Sequence, residues 1–209
     1  MMKDILYKNG IIPVISIDDE NNAPELAQAL IEGGLNCIEV TFRTARAKQA
    51  IEVVSTTYPE MYIIAGTVLS CSQADEAMEA GAKAIVAPGL NEEVARYCIE
   101  QGYPYIPGVC TPSEIEKAMS LGFDTLKFFP AELSGGLKML QAFNGPYANI
   151  KFMPTGGINI DNAKSYLEKD FILCVGGTWI ASRQMIKEKK FDVIKEYALQ
   201  ASNLVKELR

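Results

Sequence analysis

The chain has 209 residues, of which 48% are apolar, and carries a formal net charge of −6. This length and apolar content suffice for one packed core, so we expect residues 1–209 to form a single domain. The acidic balance, without a dense group of lysines and arginines, argues against a nucleic-acid partner. There is no run of about 18 apolar residues and no signal-peptide pattern at the start, so we expect a cytoplasmic protein that does not bind or span a membrane.

The cysteines and the missing histidines limit the chemistry further. Five cysteines are scattered and never spaced as CxxC, which indicates reduced thiols rather than a disulfide framework or a zinc site. The absence of histidine removes both the commonest general base and the commonest catalytic metal ligand. Acid–base chemistry therefore falls to carboxylates, lysines or tyrosines.

Short apolar runs alternate with helical patterns along the whole chain, after a short N-terminal helix. The predicted strands cover 11–17, 37–42, 62–65, 84–87, 105–106, 125–129, 150–153 and 172–175. The predicted helices cover 23–32, 45–56, 73–80, 92–101, 112–120, 136–143, 161–168 and 192–208. Capping signals support several helix starts, namely Ser70 or Ser72, Asn91, and Thr111-Pro112 followed by Glu114. The last helix carries an apolar stripe that predicts core packing at Ile194, Tyr197, Ala198, Ala201, Val205 and Leu208.

The spacing of these runs predicts the fold. Successive strands lie about 20 to 26 residues apart, the size of one right-handed βα unit, and each strand is apolar throughout, as in a parallel sheet covered by helices. Eight such units predict an α/β fold of the (β/α)₈ or TIM barrel type. A doubly wound open sheet is the alternative, because periodicity alone does not prove that the sheet closes.

One lysine stands in an apolar strand, within the stretch from Gly122 to Ala131. Lys127 is flanked by leucine and phenylalanines, and a buried ammonium is disfavoured unless a carboxylate partners it or it loses its proton. Lys127 is therefore either a side chain that reaches past the phenylalanines to solvent or a functional amine. Glu39, between Ile38 and Val40 in the second strand, is a similar case, either a structural partner of Lys127 or a group that moves protons.

Further polar residues follow the carboxyl ends of the strands, where barrel active sites lie. Two glycine pairs, Gly156-Gly157 and Gly176-Gly177 with Thr178, follow strands seven and eight. Each pair is either a tight turn or a phosphate site made of backbone N–H groups. Arg43 and Thr67, after strands two and three, suit a substrate carboxylate, although Arg43 also fits an exposed helix-start arginine and Thr67 a simple cap.

These residues lie within motifs that resemble a known family. The stretches Gly34 to Arg43 and Gly122 to Gly135 closely resemble the paired signatures of the 2-keto-3-deoxy-6-phosphogluconate aldolase and 4-hydroxy-2-oxoglutarate aldolase family. Further matching motifs, over nearly the whole chain and in the family's order, are Ala65-Gly66-Thr67-Val68-Leu69, Pro88-Gly89-Leu90, Pro107-Gly108, Pro154-Thr155-Gly156-Gly157-Ile158 and Gly176-Gly177-Thr178-Trp179. Many relatives have serine where this chain has Thr178.

The resemblance implies a class I aldolase that uses no metal and no cofactor. In it, Lys127 would form a Schiff base, Glu39 would move protons, and the remaining substrate contacts would be Arg43, Thr67, Pro88, Phe129, Gly156, Gly157, Gly177 and Thr178. The substrate would be a phosphorylated keto acid, and the assembly a homotrimer. The gluconate derivative, the galactonate derivative and unphosphorylated 4-hydroxy-2-oxoglutarate all remain open as substrates. A different enzyme on a phosphate-binding barrel, such as an epimerase or thiazole-type synthase, and a non-catalytic sugar-phosphate sensor are the more distant alternatives.

Overall fold

A computed structural model describes residues 2–209, in which helices and strands follow the predicted order, with one short additional helix at residues 183–187 that was not predicted. The helices are α1 (Met2–Asn9), α2 (Ala23–Glu32), α3 (Ala47–Thr57), α4 (Cys71–Glu79), α5 (Glu92–Gln101), α6 (Pro112–Ser120), α7 (Gly136–Asn144), α8 (Ile160–Leu167), α9 (Arg183–Lys187) and α10 (Phe191–Leu208). The strands are β1 (Ile11–Ile15), β2 (Cys37–Thr41), β3 (Tyr62–Gly66), β4 (Ala84–Val86), β5 (Tyr105–Ile106), β6 (Gly108–Val109), β7 (Thr125–Phe128), β8 (Lys151–Pro154) and β9 (Val175–Gly177). Single turns of 3₁₀ helix lie at Glu20–Asn22 and Glu132–Ser134.

The strands pair in parallel throughout. One sheet has the order β5-β4-β3-β2-β1-β9 and the other the order β6-β7-β8. Single bridges join Phe152 to Ile172 and Thr155 to Gly176 on the far side of β8. β5 and β6 are consecutive in the chain and separated by Pro107, which has no N–H to donate to a ladder. The predicted parallel α/β architecture is confirmed, but the ladder is divided into two sheets rather than running through eight continuous strands.

Two local predictions need correction. The last strand, predicted over 172–175, is observed as Val175–Gly177, because these are the residues that pair in register with β1, whereas Ile172 makes a single bridge to Phe152. Tyr197, predicted in the buried stripe of the last helix, is 37% exposed because it lies at the edge of that stripe. The centre of the stripe is buried at Ile194, Ala198, Ala201 and Val205.

The predicted capping residues are confirmed, although α4 begins at Cys71 rather than at residue 73. The Ser70 hydroxyl accepts a hydrogen bond from the amide of Gln73, and this decides between Ser70 and Ser72 as the cap of α4. Thr111 and Glu114 form a reciprocal capping box around Pro112 at the start of α6. These caps satisfy amide groups that have no partner within the helix, which explains why the local sequence predicted the boundaries well.

Alternate residues of each strand point to opposite faces of the curled sheet. One face packs against the helices and forms the larger hydrophobic cluster. The residues of the other face form a smaller cluster, here called the inner cluster, which contains Leu6, Ile12, Cys37, Ile64, Ala84, Val86, Ile106, Met153, Leu173 and Cys174. Leu6 belongs to α1, so the N-terminal helix covers the amino-terminal end of the inner face. Between residues 2 and 209, the helices are all too short or too polar to cross a membrane.

Candidate active site

Strand alternation places Lys127 on the inner face of β7. Leu126 and Phe128 belong to the cluster that faces the helices, so the lysine between them points to the opposite side. Its side chain is only 5% exposed. The hypothesis that Lys127 reaches past the phenylalanines to solvent is therefore wrong.

Glu39 partners the buried lysine. The Lys127 Nζ atom lies 3.0 Å from Oε1 and 3.3 Å from Oε2 of Glu39, whose side chain is completely buried. Gly66 on the neighbouring strand β3 provides the space, because a Cβ there would lie 2.3 Å from the Glu39 Oε1 atom. Two opposite charges are thus held together where neither would be tolerated alone.

The predicted site residues meet in one cavity of about 290 Å³ at the carboxyl ends of the strands. All ten of them line it: Glu39, Arg43, Thr67, Pro88, Lys127, Phe129, Gly156, Gly157, Gly177 and Thr178. The sequence interpretation named Gly176 within a glycine pair that is either a tight turn or a phosphate site, but it gave no role in the site to the other four lining residues, Val14, Thr41, Thr155 and Ile158.

Arg43 lies at the rim of this cavity and is positioned by a chain of hydrogen bonds. Its Nε donates to the Thr41 hydroxyl over 3.1 Å, and that hydroxyl donates to the carbonyl of Ile15 over 2.8 Å. Helix α3 begins only at Ala47, so Arg43 is not a helix-start residue. Its terminal guanidinium nitrogens form no hydrogen bond with residues 2–209 and are available for an anion.

Thr67 has an unusual backbone conformation. Its φ is +58°, a left-handed value that is costly for a β-branched residue and often marks a functional site. The prediction that Thr67 is a simple helix cap is wrong, because Ser70 caps α4. Phe129, on another side of the cavity, places its ring centroid 5.8 Å from the Lys127 Nζ atom, within the range of a cation–π contact.

The glycine pairs have different structural roles. Gly156 and Gly157 adopt φ values of +103° and +80°, as a tight turn requires. Gly177 instead allows close packing, because a Cβ there would lie 1.6 Å from the Trp179 ring. The amides of Gly157 and Ile158 donate no hydrogen bond to any part of the described chain, and both residues line the cavity. Unpaired amides of this kind form an anion site.

Thr155 is a residue of the site that sequence reasoning missed. It lines the cavity but is only 5% exposed, and its buried hydroxyl has no hydrogen-bond partner in residues 2–209. A signal was present in the sequence, because alternation from Met153, a member of the inner cluster, places Thr155 on the same face. A buried hydroxyl without a partner is costly unless a ligand or water satisfies it.

Two cysteines, Cys37 and Cys174, lie in the protein interior near the Lys127–Glu39 pair, but neither lines the cavity. Burial raises the pKa of Cys174 to about 12, and burial together with Cys174 and Glu39 raises that of Cys37 well above its ordinary range. Both thiols therefore stay protonated and unreactive near neutral pH. Lys127 is left as the nucleophile that a ligand in the cavity can reach.

Comparisons with known proteins show which family this chain resembles. The family model described as KDPG and KHG aldolase matches residues 2–197. The 2-dehydro-3-deoxy-phosphogluconate aldolase of Treponema pallidum is 40% identical over 97% of this chain and 96% of its own length. The KHG/KDPG aldolase of Escherichia coli K12 is 39% identical over 95% of this chain and 93% of its own length.

A solved structure extends the similarity to three dimensions. The KDPG aldolase of Legionella pneumophila, crystallised with pyruvate captured at low pH as a covalent carbinolamine intermediate, superimposes with a TM-score of 0.93. It is 37% identical, and the match covers 96% of this chain and 98% of that one. With the family model and the curated relatives, this similarity establishes that the chain belongs to the KDPG and KHG aldolase family.

Proposed function

We propose that this protein is a class I aldolase that cleaves 2-dehydro-3-deoxy-6-phosphogluconate to pyruvate and glyceraldehyde 3-phosphate through a Schiff base on Lys127. The observation that carries the proposal is the buried pair of Lys127 and Glu39, 3.0 Å apart in the cavity. An amine next to a carboxylate supplies both a nucleophile and a proton carrier. The carbinolamine in the Legionella relative supports the same chemistry.

The pair would begin the reaction by moving a proton from the Lys127 ammonium to Glu39. The neutral amine would attack the C2 ketone of the substrate, and Glu39 would return the proton to the ketone oxygen to give a carbinolamine. Glu39 would then take a proton from the carbinolamine nitrogen and give it to the hydroxyl group, which would depart as water and leave a protonated imine. Because the imine nitrogen carries a positive charge, it accepts the electrons of a neighbouring C–C bond.

Cleavage would follow from removal of the proton on the C4 hydroxyl by Glu39, directly or through a water. The C3–C4 bond would break, its electron pair would move to the imine as an enamine, and the aldehyde product would leave. Protonation of the enamine at C3 and hydrolysis of the imine would then release pyruvate and regenerate Lys127. Each step uses the same carboxyl group, which alternates between acid and base.

The two ends of the substrate would be held by different parts of the cavity. We assign the keto-acid carboxylate to the free guanidinium nitrogens of Arg43 and to Thr67, since a planar guanidinium matches a carboxylate. We assign the phosphate to the amides near Gly156, Gly157 and Gly177. The hydroxyl of Thr178 would add a contact there, as the serine of many relatives would, although its extra methyl group changes the local shape.

The same residues support cleavage of 4-hydroxy-2-oxoglutarate, which needs the imine and the carboxylate carrier but has no phosphate. The Escherichia coli relative carries both substrates in its name. Among the gluconate derivative, the galactonate derivative and 4-hydroxy-2-oxoglutarate, we propose that the gluconate derivative has the highest kcat/KM. A higher value for either of the other two would reassign the physiological substrate.

We further infer that residues 1–209 act as one domain with the eight-unit barrel topology predicted from the sequence, with β5 and β6 counted as one strand interrupted at Pro107. The resemblance to the family also suggests a homotrimer located in the cytoplasm. Light scattering of the purified protein tests the trimer, and a monomer in solution would contradict it.

Trapping with borohydride tests the proposed function directly. Reduction in the presence of pyruvate converts an imine into a stable secondary amine, so we expect a pyruvate-derived mass increase on the peptide that contains Lys127. Omitting either pyruvate or borohydride is the control. An unmodified Lys127, or an adduct found only on other lysines, would show that the Schiff-base mechanism is wrong.

We predict that Thr155→Val lowers kcat/KM for the phosphogluconate substrate by about 10- to 100-fold. Valine has nearly the shape of threonine but lacks the hydroxyl, which is buried at the cavity wall without a partner in residues 2–209. We assign that hydroxyl to a hydrogen bond with the substrate chain. Because the variant also removes a buried unpaired polar group, the free energy of unfolding should stay the same or rise by about 1 kcal/mol. Unchanged kinetics would contradict the assignment.

A further inference from the structure

A second depression adjoins the candidate active site and is here called the side groove. It has a volume of about 270 Å³ and is lined by Val14, Ser16, Arg43, Thr44, Thr178, Ala181, Ser182 and Arg183. Val14, Arg43 and Thr178 also line the active-site cavity, so the two spaces share a wall. A ligand bound near Thr178 therefore lies beside the side groove.

Arg183 lines the groove and is held in place by Asp18. Its Nε donates to Oδ2 of Asp18 and its Nη2 to Oδ1 of Asp18, both over 2.6 Å. Asp18 follows β1 and Arg183 begins α9 after β9, so the pair joins the loops that follow two neighbouring strands. The hydrogen bond from Arg183 lowers the pKa of Asp18, which keeps the pair ionised near neutral pH. A bidentate arginine–carboxylate pair of this kind fixes the plane of the guanidinium group.

The pair leaves Arg183 able to bind an anion. A guanidinium has five N–H donors, of which Asp18 uses two. The side groove is lined by two guanidinium groups and four hydroxyl-bearing side chains and by no carboxylate, since Asp18 itself faces the adjoining cavity on the other side of Arg183. The groove is therefore suited to a negatively charged group, although the protein as a whole carries a net charge of −6.

We propose that Arg183 is a specificity-determining residue that binds the phosphoryl group of the substrate from the side groove, next to Thr178. This inference rests on the proposed function, in which Arg43 binds the carboxylate at the other end of the substrate. Asp18 is then a positioning residue that sets the direction of the guanidinium. The substrate 4-hydroxy-2-oxoglutarate ends in a carboxylate at C5 in place of the longer phosphorylated end, and in this proposal it is too short to reach Arg183.

Steady-state kinetics of Arg183→Gln with the two substrates test the proposal. We expect KM for the phosphogluconate substrate to rise about tenfold with kcat nearly unchanged, because a charge-assisted contact to the phosphate is lost in both the ground and transition states. The kcat/KM for 4-hydroxy-2-oxoglutarate should change by less than about twofold. Arg183→Lys, which keeps the charge, should recover part of the KM effect.

Lys187→Gln is the matched control, because it removes the same charge from a residue that lines only the adjoining cavity. We expect it to change KM for either substrate by less than about twofold. An Arg183→Gln variant that affects both substrates equally, or neither, would overturn the inference, and so would a Lys187→Gln variant that reproduces its effect. Borohydride trapping of the wild-type protein with pyruvate separates the two proposals, since pyruvate has no phosphate. If that adduct forms, only the role of Arg183 is at stake.

Discussion

The variant Lys127→Met should form no pyruvate adduct and lose about four orders of magnitude or more of kcat. Methionine has a similar length but no amine, so neither the carbinolamine nor the imine can form. Any residual turnover would have to come from binding and polarisation of the substrate alone. An enzyme that has lost its nucleophile typically keeps only a small fraction of the wild-type activity. Borohydride trapping and steady-state kinetics measure both effects.

The same variant should be less stable, because it leaves the Glu39 carboxylate buried without its cation. Removing one member of a buried ion pair typically costs about 3 to 5 kcal/mol. The double variant Lys127→Met/Glu39→Gln should recover much of that loss, since no charge then remains buried. Lys151→Met is the matched control, because Lys151 stands at the amino-terminal end of the next strand and does not line the cavity. An active Lys127→Met enzyme would refute the proposed nucleophile.

Glu39→Gln should keep the fold but lower kcat by about 10² to 10⁴. Glutamine has the shape of glutamate, and its amide oxygen still accepts a hydrogen bond from Lys127. The amide does not take up and release a proton at neutral pH, so it does not act as a general acid or base. In the proposed mechanism the same group moves the proton at C3 of the enamine. The exchange of the methyl protons of pyruvate with deuterium, followed by NMR, should therefore slow by a similar factor.

This exchange experiment separates the catalytic and structural interpretations of Glu39. If the pair is only a structural ion pair, Glu39→Gln should lose stability while the exchange rate per folded molecule stays at the wild-type value. Thermal unfolding of the variant provides the necessary measurement of its folded fraction. Glu39→Asp is a useful companion variant, because it keeps an ionisable group but shortens the side chain by one carbon and so moves the carboxylate away from Lys127.

Local sequence features predicted much of the fold, as particular elements illustrate. The cap of α6 at Thr111 and the first residue of that helix, Pro112, were predictable, because a capping box involves residues only three positions apart. The sequence contains Pro107, but the break between β5 and β6 was not predicted from it. Whether a proline interrupts the hydrogen bonding of a sheet depends on which strands pair on either side of it. The position of the last strand was also shifted, because its pairing with β1 joins residues far apart in the chain.

Part of the candidate site was equally predictable. Lys127 and Glu39 stood out because each places a charge inside an apolar strand, a conflict that involves only adjacent residues. Thr155 did not stand out, because a threonine before two glycines is ordinary, and only the packing around its hydroxyl leaves it unpaired. Arg183 was missed because nothing near it in sequence identifies Asp18, 165 positions away, as its partner.

The sequence by itself therefore determined the alternation of strands and helices, the caps, the family motifs and the two charged residues that needed an explanation. The motifs were identified by their resemblance to a known family, whereas the other features depend on backbone geometry and hydropathy over a few neighbouring residues. Only the tertiary structure decided that the Lys127 and Glu39 side chains, 88 positions apart, lie 3.0 Å from each other. It also decided that Thr155 lines the same cavity and that the side groove shares a wall with it. The reason is physical: the curl of the sheet and the packing of helices on it set distances between residues that are remote in the chain.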